Sequence, residues 1–202
     1  MRTIPELKEG THRAKASGTL PNGKPVIVNA DGTVSVVEGS PESIGTPVVF
    51  ANSSVSSASV SAVFDSSNNK VVVAYGDGGN SSYGVAIVGT VSGTSISFGS
   101  PVVFESAQST SISASFDSNS NKVVIAYRDE GNSNYGTAVV GTVSGTSISF
   151  GTPVVFQTSF SLPFSSSSTF DNNSNKIVIA YRLISGGANA IVGTVSGTSI
   201  SF

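Results

Sequence analysis

The chain has 202 residues, of which only 11% are charged, with a net charge of −2, no cysteine, no tryptophan and a single histidine, His12. That composition excludes disulfides and thiolate metal sites, and it gives no electrostatic basis for binding nucleic acid or an anionic membrane surface. Ser, Gly, Thr, Asn and Val dominate, which favours strands and turns over helices.

The opening residues 1–17 hold Arg2, Lys8, Arg13 and Lys15 together with Glu6, Glu9 and His12. Pro5, Gly10 and the lack of an apolar period predict an arm ordered by a partner, or else a plain tail. This stretch lacks the apolar centre of a secretory signal, and no uninterrupted apolar run here reaches the roughly 18 residues of a membrane helix. Residues 18–39 read as a small β-meander. Pro21-Asn22-Gly23 and Asp31-Gly32 are turn signals around a strand at 25–29, and a second strand follows at 33–37. So small a unit needs a neighbour to bury against. Residues 1–40 are therefore read as an N-terminal unit and 41–202 as a repeat domain.

The repeats declare themselves in GTVSGTSISF, which occupies 89–98 and returns unchanged at 141–150 and 193–202, 52 positions on each time. Each copy predicts four strands. In the second, these are a (112–116), b (122–128), c (135–143) and d (147–156), with Gly151 and Pro153 bending the last. Short connections favour an antiparallel meander. Strand b is apolar at consecutive positions in each copy, as in Lys122-Val123-Val124-Ile125-Ala126-Tyr127, so both its faces must be covered. Strand a alternates small residues, which suits a place where strands converge. These features predict an all-β fold of about 52-residue repeats, each a four-stranded antiparallel meander stacked like a β-propeller blade. A β-trefoil or β-prism also uses three four-stranded repeats. The Phe116-to-Phe170 step places a two-residue insertion near 158–163.

An extra copy of Gly-Thr-Pro-Val-Val-Phe stands at 45–50, ahead of the first repeat, whereas the third copy stops at Phe202 before reaching that segment. Either the early strand completes the last sheet of a ring, or the array continues past residue 202. The second is the expectation, because three blades close poorly, and a dimer would supply six.

Candidate chemistry lies in the connections. Asp65, Asp117 and Asp171 open a–b turns whose D-x-[SN]-x-N spacing resembles half of a calcium loop, although Asx-turn chemistry accounts for the same residues. The b–c connections carry Asp77 and Tyr83 in the first copy, and Arg128, Asp129 and Tyr135 in the second. They are similar to the Asp-box turn of sialidase-like propellers, without its Ser and Trp, and the third copy loses the pattern at 183–187. Their tyrosines could stack on a sugar face. Arg128 and Arg182 read as solvated strand-end charges. A Ser-His-Asp triad would need His12 to reach a repeat, and the carboxylates Asp129 and Glu130 are not duplicated, so no enzyme is expected.

The composite FDSxxNKVVIAYRDxGNSxYGTAVVGTVSGTSISFGTPVVF resembles blades in virion proteins of tailed bacteriophages, marine ones especially, over roughly residues 42–202. Residues 16–26 and 29–34 also resemble an N-terminal module of phage structural proteins. The resemblance implies a virion component assembled in the bacterial host cytoplasm. Residues 1–40 would bind other virion proteins, and the repeats would be displayed on a tail or capsid fibre for host-surface attachment, with a surface glycan as the candidate receptor. From the residues themselves, no cofactor beyond the calcium option and no membrane insertion are expected, and the three-repeat count points to a homo-oligomer. A carbohydrate-binding lectin and a bacterial surface adhesin are the alternatives.

Overall fold

The computed structural model describes residues 14–20, 22–23, 25–37, 45–158, 165–182 and 187–202, without the side chains of 56–59. The basic arm up to Arg13, the insertion beyond Thr158 and the third b–c connection at 183–186 lie outside the described residues. The chain divides into two compact units, Met1–Ile44 and Gly45–Phe202. It is all-β, built mainly of antiparallel sheets, and no sheet closes into a barrel.

The first unit contains a three-stranded sheet. Strand β3 (Thr33–Val36) lies between β1 (Lys15–Ala16), which is parallel to it, and β2 (Val26–Val28), which is antiparallel. The Asp31 carboxylate accepts from the Thr33 amide at 3.0 Å and its hydroxyl at 2.7 Å, which closes the β2–β3 turn at the expected place. Strand β1 was not anticipated, since two residues of Lys-Ala carry no strand pattern. All of β2 is exposed, including Val28 at 73%.

In the second unit, β4 (Val55–Asp65), β5 (Lys70–Asp77), β6 (Tyr83–Ser92) and β7 (Ser95–Phe98) form an antiparallel meander. After Gly99-Ser100-Pro101, strand β8 (Val102–Asp117) runs as one uninterrupted strand of 16 residues. Its early part pairs with β6 and its later part with β9 (Lys122–Asp129). The first strand of the second repeat was expected to start at residue 112. It is instead the continuation of the preceding repeat's last strand, redirected at Ser111, whose φ is 52°. The sheet continues through β10 (Tyr135–Ser144), which pairs with both β11 (Ser147–Phe150) and β12 (Val154–Gln157). The bend expected at Gly151 and Pro153 splits the fourth strand in two. A separate four-stranded sheet has the order β13 (Ser166–Asp171), β14 (Lys176–Arg182), β15 (Ala188–Ser196), β16 (Ser199–Ser201).

The invariant decapeptide has a local cause. Ser92 pairs with Ser95 and Ser144 with Ser147, leaving two-residue loops of Gly and Thr. Gly93, Gly145 and Gly197 have φ of 58°, 61° and 61°, as the first position of a type II′ hairpin requires.

Packing follows from the two-faced strands. Val72, Ala74, Ala86 and Val88 of the first meander bury against Val123, Ile125, Tyr127 and Val139 of the second. The opposite face of the second, at Val124, Ala126, Ala138 and Val140, buries against Ile177, Ile179 and Tyr181 of the third. Each such side chain contributes roughly 1.5–3 kcal/mol when covered. The joints recur. Phe50 packs on Tyr75 and Phe98 (centroids 5.2 and 5.8 Å), Phe104 on Tyr127 and Phe150 (5.1 and 5.7 Å), and Phe156 on Tyr181 and Phe202 (5.5 and 5.4 Å). Between first strands, the Ala114 amide donates to the Ser61 hydroxyl at 3.0 Å, and the Ser168 amide donates to Ser113 at 2.8 Å.

Gly99 and Gly151 sit where one meander meets the next. A methyl at either would overlap the backbone carbonyl oxygen of Thr146 or Thr198, whereas none of the described residues lies within 4 Å of a methyl placed at Gly18. Gly99→Ala and Gly151→Ala should each destabilise by about 1–3 kcal/mol, and Gly18→Ala should stay within about 0.5 kcal/mol. Urea unfolding midpoints of the three variants check this.

Candidate binding surface

The a–b turns are built by their aspartates. Asp65 accepts from the amides of Ser67 and Asn68, both at 3.0 Å, and its second oxygen accepts from the Asn68 side-chain amide at 2.8 Å. Asp117 accepts from the amides of Asn119 (2.9 Å) and Ser120 (3.0 Å), and from the Ser120 hydroxyl at 2.6 Å. Asp171 accepts from the Asn173 amide at 2.9 Å and from the Ser174 hydroxyl. The closing Asn69, Asn121 and Asn175 take φ of 52°, 56° and 56°, a left-handed conformation that Asn tolerates. Both oxygens of each carboxylate thus bind donors of their own turn. Among the described residues, no three His, Asp or Glu side chains gather as a metal-ion set would. The Ser174 hydroxyl, then the Asn173 amide, hold Asp171 below the usual carboxylate range.

The b–c connections use their aspartates in the same way. Asp77 accepts from the Gly79 amide at 3.0 Å and from the Ser53 hydroxyl. Asp129, buried, accepts from the amides of Gly131 (3.0 Å) and Asn132 (3.1 Å). Tyr83 and Tyr135 are half-buried and stand opposite these aspartates in the ladders.

Arg128 departs from its reading as a solvated charge. It is buried, with Nη1 2.8 Å from Glu130 Oε1 and Nη2 donating to Asn134 Oδ1 at 2.5 Å. Thr110 also donates to that Glu130 oxygen, at 3.1 Å. Its sister Arg182 is exposed. Glu130 and Asn134 belong to a connection that the third copy does not repeat, and the fork geometry of guanidinium explains why two acceptors can hold Arg128. The candidates Arg128, Asp129 and Tyr135 therefore lie together at one end of β9 and β10, while Asp77 and Tyr83 form the equivalent place on β5 and β6.

Behind Arg128 lies a second polar contact that the sequence reading missed. The Tyr127 hydroxyl donates to Glu105 Oε2 at 3.0 Å. Burial, then the nearby Asp129, lifts the Glu105 carboxyl above its ordinary value. Burial, then Glu105, pushes the Tyr127 hydroxyl strongly upward. Glu105 lies in a polar run that looks like a linker, so no pattern pointed to it.

A groove of about 330 Å³ runs across the three first strands, lined among others by Phe64, Ser115, Phe116, Ser168 and Phe170. Phe64 is 54% exposed there, and the Ser115 hydroxyl is buried without a hydrogen-bond partner among the described residues. The recurring Phe-Asp pair was the only sequence signal for this groove. No family model matches the chain, and neither does any curated protein.

Three outcomes are expected. Asp117→Ala removes the acceptor of two turn amides and should cost about 1–3 kcal/mol, while millimolar calcium leaves the wild-type melting temperature unmoved in calorimetry. The folded state binds the Glu105 proton more tightly than the unfolded state does. Its contribution therefore falls as pH rises from the ordinary carboxylate value through the raised one. Glu105→Gln keeps an acceptor for Tyr127, so its urea midpoint should exceed wild type at about pH 7 and match it near about pH 3.5.

Proposed function

We propose that the chain is a non-enzymatic virion structural protein of a tailed bacteriophage. In this reading it is a tail or capsid fibre component whose Gly45–Phe202 unit is displayed for host-surface attachment. The observation that carries the non-catalytic part is the fate of the polar side chains. Asp65, Asp77, Asp117, Asp129 and Asp171 cap turns, and Arg128 is clamped by Glu130 and Asn134. Groups held this way build loops and do not present a reacting acid, base or nucleophile. The virion part rests on the resemblance of the repeats and of residues 16–34 to phage structural proteins.

Propeller-like stacking is the architecture we favour for the repeats. Its support is the recurrence of one aromatic joint, one serine joint and one glycine contact between successive meanders. The first unit would bind other virion proteins. Its edge strand β2 exposes Val26, Ile27 and Val28, an apolar row of the kind that marks interaction sites. A lectin is the second reading, favoured by half-buried Tyr83 and Tyr135 beside polar turns, where a sugar ring could stack.

The test is composition of purified particles by mass spectrometry. The intact chain is expected in particles, and a chain lacking residues 1–40 is expected in the soluble fraction only. Absence of the intact chain from particles overturns the virion reading. Glycan or host-cell binding that survives deletion of 1–40 but is lost in Tyr83→Ala and Tyr135→Ala supports the lectin.

A further inference from the structure

Sister residues of the three meanders have the same chemistry and different surroundings. Ala74 and Ala126 are fully buried and Ala180 is exposed. Ala86 and Ala138 are fully buried and Ala190 is exposed. Val88 and Val140 are fully buried and Val192 is 53% exposed. The face of β14 and β15 that carries these residues thus corresponds to the face each earlier meander buries under the next.

The edge of β15 shows the same thing. On β10, residues 136–138 pair with β12 in the register Ala138 to Val154, Thr137 to Val155 and Gly136 to Gln157. On β6, Ala86 pairs with Val102, Val85 with Val103 and Gly84 with Glu105. The counterpart on β15 is Ala188-Asn189-Ala190, which has β14 on one side and no ladder partner on the other among the described residues. A groove of about 290 Å³ lined by Ser166, Ser167, Ala180, Arg182, Ala188 and Asn189 lies beside it.

The complementary piece is present in the same chain. Segment 45–50 has the sequence of 151–156, residue for residue. It already makes the forward half of that segment's contacts, because Phe50 packs on Tyr75 and Phe98 and Gly45 approaches the Thr94 carbonyl. The backward half, ladder pairing to a third-strand edge, is unmade among the described residues, and Val48 and Val49 are 41% and 72% exposed.

We infer that the Gly45–Phe202 units of two copies join head to tail, with segment 45–51 of one copy adding as a strand to β15 of the other. Both pairings within the chain dictate the same register: Val48 opposite Ala190, Val49 opposite Asn189 and Ala51 opposite Ala188. The first-strand joint would repeat as well. Exposed Ser167, the sister of Ser61 and Ser113, would accept from the Ala62 amide of the incoming copy. Strand addition of this kind supplies affinity through main-chain bonds and register through alternate side chains. The interface is heterologous, so two copies that close give a ring of six meanders. This inference does not depend on where the protein acts.

The chain has no cysteine, which permits a direct test. Val48→Cys and Ala190→Cys are made in separate preparations of the 202-residue chain, mixed and mildly oxidised. A disulfide-linked heterodimer is expected, because directly opposed strand residues lie within bridging distance. Val48→Cys mixed with Ser66→Cys, on an exposed turn, should give only background. Val192→Lys should weaken self-association at least about ten-fold in sedimentation velocity, since it places a charge in the joint, while its melting temperature matches wild type only at dilutions where both are monomers. Heterodimer yield no higher than the Ser66→Cys control overturns the inference. So does a wild-type chain that sediments as a monomer at about 100 µM.

Discussion

Everything in the Gly45–Phe202 unit depends on one constraint: its second strands are apolar on both faces. A sheet with two such faces cannot stand in water on either side, so it has to be layered between others. The two faces are not alike. One presents bulk, as in Val123, Ile125, Tyr127 and Val139, while the other presents Val124, Ala126, Ala138 and Val140. Bulky faces meet small ones, so dense packing is reached only when every sheet points the same way along the stack. Direction is thus written into side-chain volume.

Apolar layers could still slide, and the polar and aromatic joints prevent it. A serine hydroxyl receives the amide of the next first strand, a glycine lets one backbone reach the next, and a phenylalanine wedges between a tyrosine and a second phenylalanine. None of these contacts is large by itself. Placed at opposite ends of each sheet, they fix both its spacing and its rotation against the neighbour. The decapeptide that recurs unchanged serves this purpose, because its hairpin threonine, whose carbonyl faces the neighbouring glycine, and its terminal phenylalanine both belong to the joint.

Much of this was legible in the sequence, for identifiable reasons. Consecutive apolar residues at 123–127 announced two-sided burial, Asp and Asn announced the hairpins, and Gly151 with Pro153 announced a broken fourth strand. What could not be read had no local signal. The polar stretch 105–111 looks like a connection, yet it is the middle of β8, because its partners on β6 and β9 are distant in sequence. Arg128 and Arg182 end the same strand motif and are opposite in burial, and the Glu130 and Asn134 that hold Arg128 are not repeated after Arg182. The Tyr127–Glu105 contact joins residues of adjoining strands and has no counterpart spacing to betray it. The candidate residues at 77, 83, 128, 129 and 135 stand at strand ends that flank the b–c connections, and their hydrogen-bonding commitments emerged only in three dimensions.

Strand β8 carries a mechanical implication. A single extended segment of 16 residues is the outer member of one meander and the inner member of the next. Tension along it loads both ladders in shear, and no slack linker between them can pay out. The first two meanders should therefore resist pulling as one body and exchange their amide protons together, a useful property in any part that must hold its shape while something attached to it moves.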